Sequence, residues 1–193
     1  MTILSRNDQK GRSMVEMLGV LAIIGVLSVG GISGYSKAMA KFKLTKAQDQ
    51  ITMLLMNIRT AFATSPSYDG LTTSNSRDFN ISPSDMFDAG SGLNNAFGGK
   101  AYVYACDAVE DSGTCLGTGA GEVTYFAIRL TNLGREACVS LATADWGTDG
   151  LIGVEVGGTS KLAADLPFTM AEAGGDNACG ASGSQTTITW TYY

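Results

Sequence analysis

The residue in this chain best placed for chemistry is Glu16. It stands directly before Met17–Tyr35, nineteen residues without a charge. Five positions earlier Gly11 closes a short polar leader that carries Arg6 and Lys10. A carboxylate at the edge of a membrane-length apolar segment is costly, so it needs a partner, a role or headgroup water. The other reactive side chains are four cysteines, Cys106, Cys115, Cys138 and Cys179. Their even number, all beyond the apolar run, points to disulfides in an oxidising compartment, with three pairings open. Zinc would need tighter paired spacings than these. Histidine is absent, which removes the commonest general base and the commonest metal ligand. No catalytic residue, metal site or cofactor is expected. The acidic loops Asp107–Asp111 and Asp145–Gly150 lack an EF-hand pattern and read as turn residues. The net charge of −5 and the lack of a basic, aromatic-laced patch argue against nucleic acid.

The elements that must position these residues follow from periodicity. Residues 1–11 are too short and polar to fold and read as a leader. Residues 12–35 suit a helix across a membrane, since the nineteen charge-free residues Met17–Tyr35 within it span about 28 Å against a hydrocarbon core of about 30 Å. Over 36–64, Met39, Phe42, Ala47, Ile51, Leu54, Leu55, Ile58 and Phe62 recur at helical spacing among charged residues. With no breaker before Thr64-Ser65-Pro66, the chain predicts one helix from about Arg12 to about Ala63. Residues 65–193 form the body. Pro66–Lys100 reads as an irregular connection with one short helix near Ser84–Ala89. Strands are expected at Ala101–Cys106, Val123–Leu130, Leu151–Val156 and Thr186–Tyr192, and a helix at Asn132–Ala142 carrying Cys138. The fold class is α+β, with an antiparallel sheet of about four to five strands covering the amphipathic half of the helix.

Gly11, four residues, Glu16 and a long apolar run together resemble the N-terminal signal of type IV prepilins, leaning to the type IVb class of enteric colonisation and conjugative thin pili. That resemblance implies the type IV pilin fold. It also implies cleavage between Gly11 and Arg12 by a prepilin peptidase and N-methylation of Arg12. Glu16 would pair with the new amino terminus of a neighbouring subunit during assembly, since a buried charge without a partner is strongly destabilising. The implied disulfides are Cys138–Cys179, bounding a displayed segment, and Cys106–Cys115, closing a small hairpin. The implied partners are other pilin subunits in a homopolymer, an assembly platform, the inner membrane before assembly, and a surface receptor of unknown kind. The chain would sit in the inner membrane and then in an extracellular filament for adhesion, aggregation or conjugation. Gly30, Gly31 and Gly34 would let the apolar helix stretch in the filament; close helix packing by small residues is the plainer reading of them.

Other readings compete. Ala38-Met39-Ala40 is a pattern that a signal peptidase could cut, giving a secreted binding protein. A membrane-tethered binding protein, a minor pilin and a type II secretion pseudopilin are further alternatives. Glu16 and the four cysteines favour a main-shaft pilin. Positive charge flanks both ends of the apolar run (Arg6, Lys10 and Arg12; Lys37, Lys41, Lys43 and Lys46), so charge counting leaves the orientation open.

Overall fold

A computed structural model describes residues 14–116, 123–147, 149–180 and 186–193. The chain forms two compact units, residues up to Lys41 and Phe42–Tyr193. Helix α1, Met14–Ala61, has its first stretch in one and its last in the other.

In the second unit α1 buries Ala47, Gln50, Ile51, Leu54 and Ile58, a stripe at three- and four-residue spacing. Leu55 and Phe62 pack at its rim, whereas Phe42, counted into the stripe by periodicity, is 62% exposed. The stripe joins one hydrophobic cluster with the inner face of a six-stranded antiparallel sheet. In chain order the strands are β1 (Leu93–Asn94), β2 (Lys100–Cys106), β5 (Tyr125–Leu133), β6 (Leu151–Val156), β7 (Thr159–Leu162) and β8 (Thr186–Tyr192). Between β2 and β5 lies a separate two-stranded ribbon, β3 (Ala108–Val109) with β4 (Cys115–Leu116). The spatial order is β1-β2-β5-β8-β6-β7.

Alternation fixes the faces. Ala101, Val103 and Ala105 of β2, Phe126, Ile128 and Leu130 of β5, Val154 and Val156 of β6, and Ile188, Trp190 and Tyr192 of β8 are buried in the core. The last strand is therefore central. It is also covered on its outer side, because Thr189 and Thr191 are only 2% and 1% exposed. Part of that cover is the β3–β4 ribbon. A Cβ on Gly153 of β6 would meet Cα of Gly113 at 2.9 Å, so the two glycines cross backbone to backbone. Beside them Thr114 Oγ1 hydrogen-bonds Ser160 Oγ at 2.9 Å. Gly113 takes φ +81°, which glycine alone adopts easily.

Six strands replace the four to five expected. The two missed ones, β1 and β7, are short and, in Thr-Ser-Lys-Leu, largely polar. Strand β5 starts at Tyr125 and runs on to Leu133, past Leu130, through a register shift. Asn132 in that shift takes φ +62°, a conformation that asparagine tolerates better than most. Helix α3 therefore begins at Arg135 rather than 132 and runs to Ala142. The connection read as irregular contains α2, Thr73–Asp78, capped by the Thr72 hydroxyl, and a single 3-10 turn, Ser84–Met86, where a short helix was expected.

Candidate functional site

The N-terminal element comes first. Glu16 lies in the first turn of α1, where a negative charge suits the helix dipole. Gly11 and Arg12 lie outside the described residues. From Met14 to Ala38 every side chain is exposed, Val26 by 75% and Val29 by 72%. Gly30, Gly31 and Gly34 sit within the helix, and a Cβ on any of them would find nothing within 4 Å. This stretch has the length and composition of a membrane span, and none of it is buried.

In the body, α1 acts as a spine whose polar side chains hold loops. Lys46 Nζ pairs with Asp85 at 3.0 Å, and Gln50 Nε2 donates to the same carboxylate at 3.1 Å. Partial burial raises the Asp85 carboxyl, but these two donors outweigh it and hold it below its ordinary value. Asn57 Nδ2 donates to the Ile81 carbonyl at 2.7 Å. Arg59 donates to the Asp149 carbonyl at 2.6 Å, pairs with its carboxylate at 3.4 Å, and lies over the Tyr192 ring. Burial pushes the Tyr192 phenol up to about 12. The acidic loop read from sequence is therefore tied to α1 at Asp149 through Arg59, while Asp145 accepts from the Gly147 N–H within the loop. Among the described residues no group of acids and cysteines could hold a metal ion.

The structure joins Cys106 to Cys115 and Cys138 to Cys179. The longer bridge encloses most of α3, all of β6 and β7, and α4, Met170–Ala173. The segment is therefore not a mere surface loop: it supplies one edge of the sheet, and β8 returns from it to the centre. A polar knot organises it. Lys161 Nζ donates to Glu172 at 2.8 Å, and the Thr169 N–H and hydroxyl donate to the same carboxylate, also at 2.8 Å. Lys161 first, then Thr169, holds the Glu172 carboxyl down at about 2. Sequence reasoning missed this knot, although Thr-x-x-Glu at 169–172 is a capping-box signature. It also missed Asp88, whose carboxylate gathers Lys100 Nζ at 2.7 Å and the N–H groups of Gly90 and Gly92 at 2.9 Å.

With this geometry in hand, the family described as PilS N terminal matches residues 42–193, most of the chain. The chain belongs to this PilS family, and it is a type IVb-like pilin. Its fold is that of a crystal structure of a type IVb pilin from Salmonella typhi. The TM-score is 0.53 at 20% identity, covering 79% of the pilin described here and 98% of that chain. Two curated relatives are each named major structural subunit of bundle-forming pilus. One, from Escherichia coli O127:H6, is 26% identical over 162 residues, 83% of this pilin and 78% of the relative. The other, from Escherichia coli O111:H-, is 26% identical over 147 residues, 76% and 70% of the two chains.

Proposed function

We propose that this pilin is the main structural subunit of a type IVb-like pilus, made as a prepilin that is cut after Gly11 and N-methylated on Arg12. The observation that carries the reading is the apolar stretch of α1, whose side chains are exposed throughout. Burying one such side chain is worth roughly 1.5–3 kcal/mol, so a run of them in water is untenable and demands an apolar cover. The inner membrane supplies that cover in a single pass before assembly. The same stretches of neighbouring subunits supply it in the filament. Inside that dry bundle the new α-amino group meets Glu16 of a neighbour, which removes two otherwise unpaired charges. Gly30, Gly31 and Gly34 supply the local give for the helix to stretch on packing.

The partners are other copies of the chain, a prepilin peptidase and an assembly platform. The role is mechanical and adhesive rather than catalytic. The test is Glu16→Ala expressed in the native host, with processing read by mass and surface pili counted by microscopy. Processing should persist while pilus yield falls by at least about tenfold, the loss of a buried pair being worth several kcal/mol. Normal pilus yield would sink the pairing role assigned to Glu16.

A further inference from the structure

The outer face of the sheet is covered unevenly. The β3–β4 ribbon lies on β6 and β7 through Gly113, Gly153 and Ser160. The β2–β5 corner keeps an open cleft of about 480 Å³, lined by Thr72, Thr73, Ser74, Tyr102, Val103, Tyr104 and Arg129. That volume lies within the range of small-ligand sites. Tyr102 stands directly opposite Arg129 in the ladder, and Tyr104 stands opposite the small Ala127. Tyr102 is 42% exposed and Arg129 is exposed.

The far wall is rigid. Thr73 Oγ1 accepts from the Val103 N–H at 3.0 Å and donates to the Val103 carbonyl at 3.1 Å, while the Ala105 N–H donates to Leu71. These bonds close the edge of β2, so an extended peptide cannot add a strand there.

Charge narrows the ligand further. Residues 42–193 carry eight Lys and Arg against sixteen Asp and Glu. Lys46, Arg59, Arg77, Lys100 and Lys161 are in ion pairs, and Arg135 donates to the Gly174 carbonyl. Arg129 has no ion-pair partner among the described residues and opens onto the cleft. As the one cation lining the cleft of a strongly acidic body, Arg129 suits a single carboxylate, which guanidinium takes in a fork, better than a polyphosphate chain. An exposed phenol ring offers an apolar face and a hydroxyl to the rest of the ligand, and Ser74 adds a second hydroxyl.

We propose that the cleft bounded by Thr72–Ser74, Tyr102, Tyr104 and Arg129 binds a pyranose sugar that bears a carboxylate. Arg129 takes the carboxylate, Tyr102 lies against the ring, and the Ser74 hydroxyl meets those of the sugar, while Tyr104, whose hydroxyl bonds Thr189, forms the floor. This goes beyond the filament reading and does not rest on it. A sialic acid and a hexuronate both carry the required chemistry.

The test uses the full chain in detergent micelles, titrated with 3′-sialyllactose, a glucuronate-terminated disaccharide, lactose and sodium acetate, with binding read by calorimetry and by tyrosine ring NMR shifts. At least one acidic sugar should bind about tenfold tighter than both lactose and acetate, and which one does so names the source. Arg129→Gln should abolish that preference, leaving the acidic sugar no tighter than lactose, with the melting temperature unchanged. Tyr102→Ala should weaken the acidic sugar and shift no ring signal beyond Tyr104. Acetate binding as tightly as the sugars would reduce the cleft to an adventitious anion site and overturn the assignment. So would an acidic sugar that fails to saturate by about 10 mM, or an Arg129→Gln variant that keeps the preference. None of these outcomes bears on whether the chain is cut after Gly11 and assembled.

Discussion

The two stretches of α1 treat the same kinds of side chain in opposite ways. Up to Ala38 its Val, Leu, Ile and Met face outward; in the body Ile51, Leu54 and Ile58 are fully covered. Apolar burial drives both. The difference is where the partner comes from: the body finds it in its own sheet, and the N-terminal stretch finds it in lipid and then in other copies. Charge follows the same division. The body ties most of its cations to its own carboxylates, whereas the N-terminal stretch carries Glu16 in its first turn and has no ion pair among the described residues.

The contrast is broken most severely by putting a charge where the partner must be apolar. Ile23→Lys should lower the membrane-inserted fraction by about a hundredfold, from an insertion cost of roughly 3 kcal/mol at mid-helix. Fractionation and pilus counts would read this, and normal insertion would erase the distinction between the two regions. Within the body, replacing both Cys138 and Cys179 by Ser should cost about 4 kcal/mol, since that bridge closes 41 residues. The same change at Cys106 and Cys115, which close 9, should cost about 2.5 kcal/mol. Denaturant melts of the two double variants would rank them, and the reverse order would contradict the role given to the longer segment.

Glycine offers a finer comparison. Gly153→Ala forces a methyl into the Gly113 backbone and should destabilise the body by about 1–3 kcal/mol. Gly19→Ala meets nothing within 4 Å and should leave the body's denaturant midpoint unmoved. The smallest expected effect is one of pH. The Glu172 carboxyl falls from 4.5 to about 2 on folding, so its contribution is complete above about 4.5 and is lost as pH falls toward 2. Glu172→Gln should flatten the melting temperature against pH in that window and change little at neutral pH.

Much of this was legible in the sequence, for identifiable reasons. Charge-free length marks Met17–Tyr35, and 3.6-residue periodicity marks Ala47, Ile51, Leu54 and Ile58. Alternation marks β2 and β8, where Tyr102 and Tyr104 flank Val103 and threonines interleave Ile188 and Trp190. Periodicity names a face but not a neighbour, so the position of β8 between β5 and β6 was not readable. Nor was β7, whose Thr-Ser-Lys-Leu gives no apolar alternation. The cleft was hidden for the same reason: Tyr102 and Arg129 meet only through strand register, 27 residues apart in the chain. Lys161 and Glu172 meet across a turn and a capping box, of which only the second leaves a sequence trace.

The proposed route has this pilin cut after Gly11 and oxidised outside the cytoplasm before it assembles. The most direct test is the intact mass of the protein purified from its native host without reduction. The expected mass is that of a chain beginning at Arg12, heavier by one methyl group and lighter by four hydrogens for the two disulfides. A chain beginning at Lys41, or one that retains its leader in assembled filaments, would contradict it.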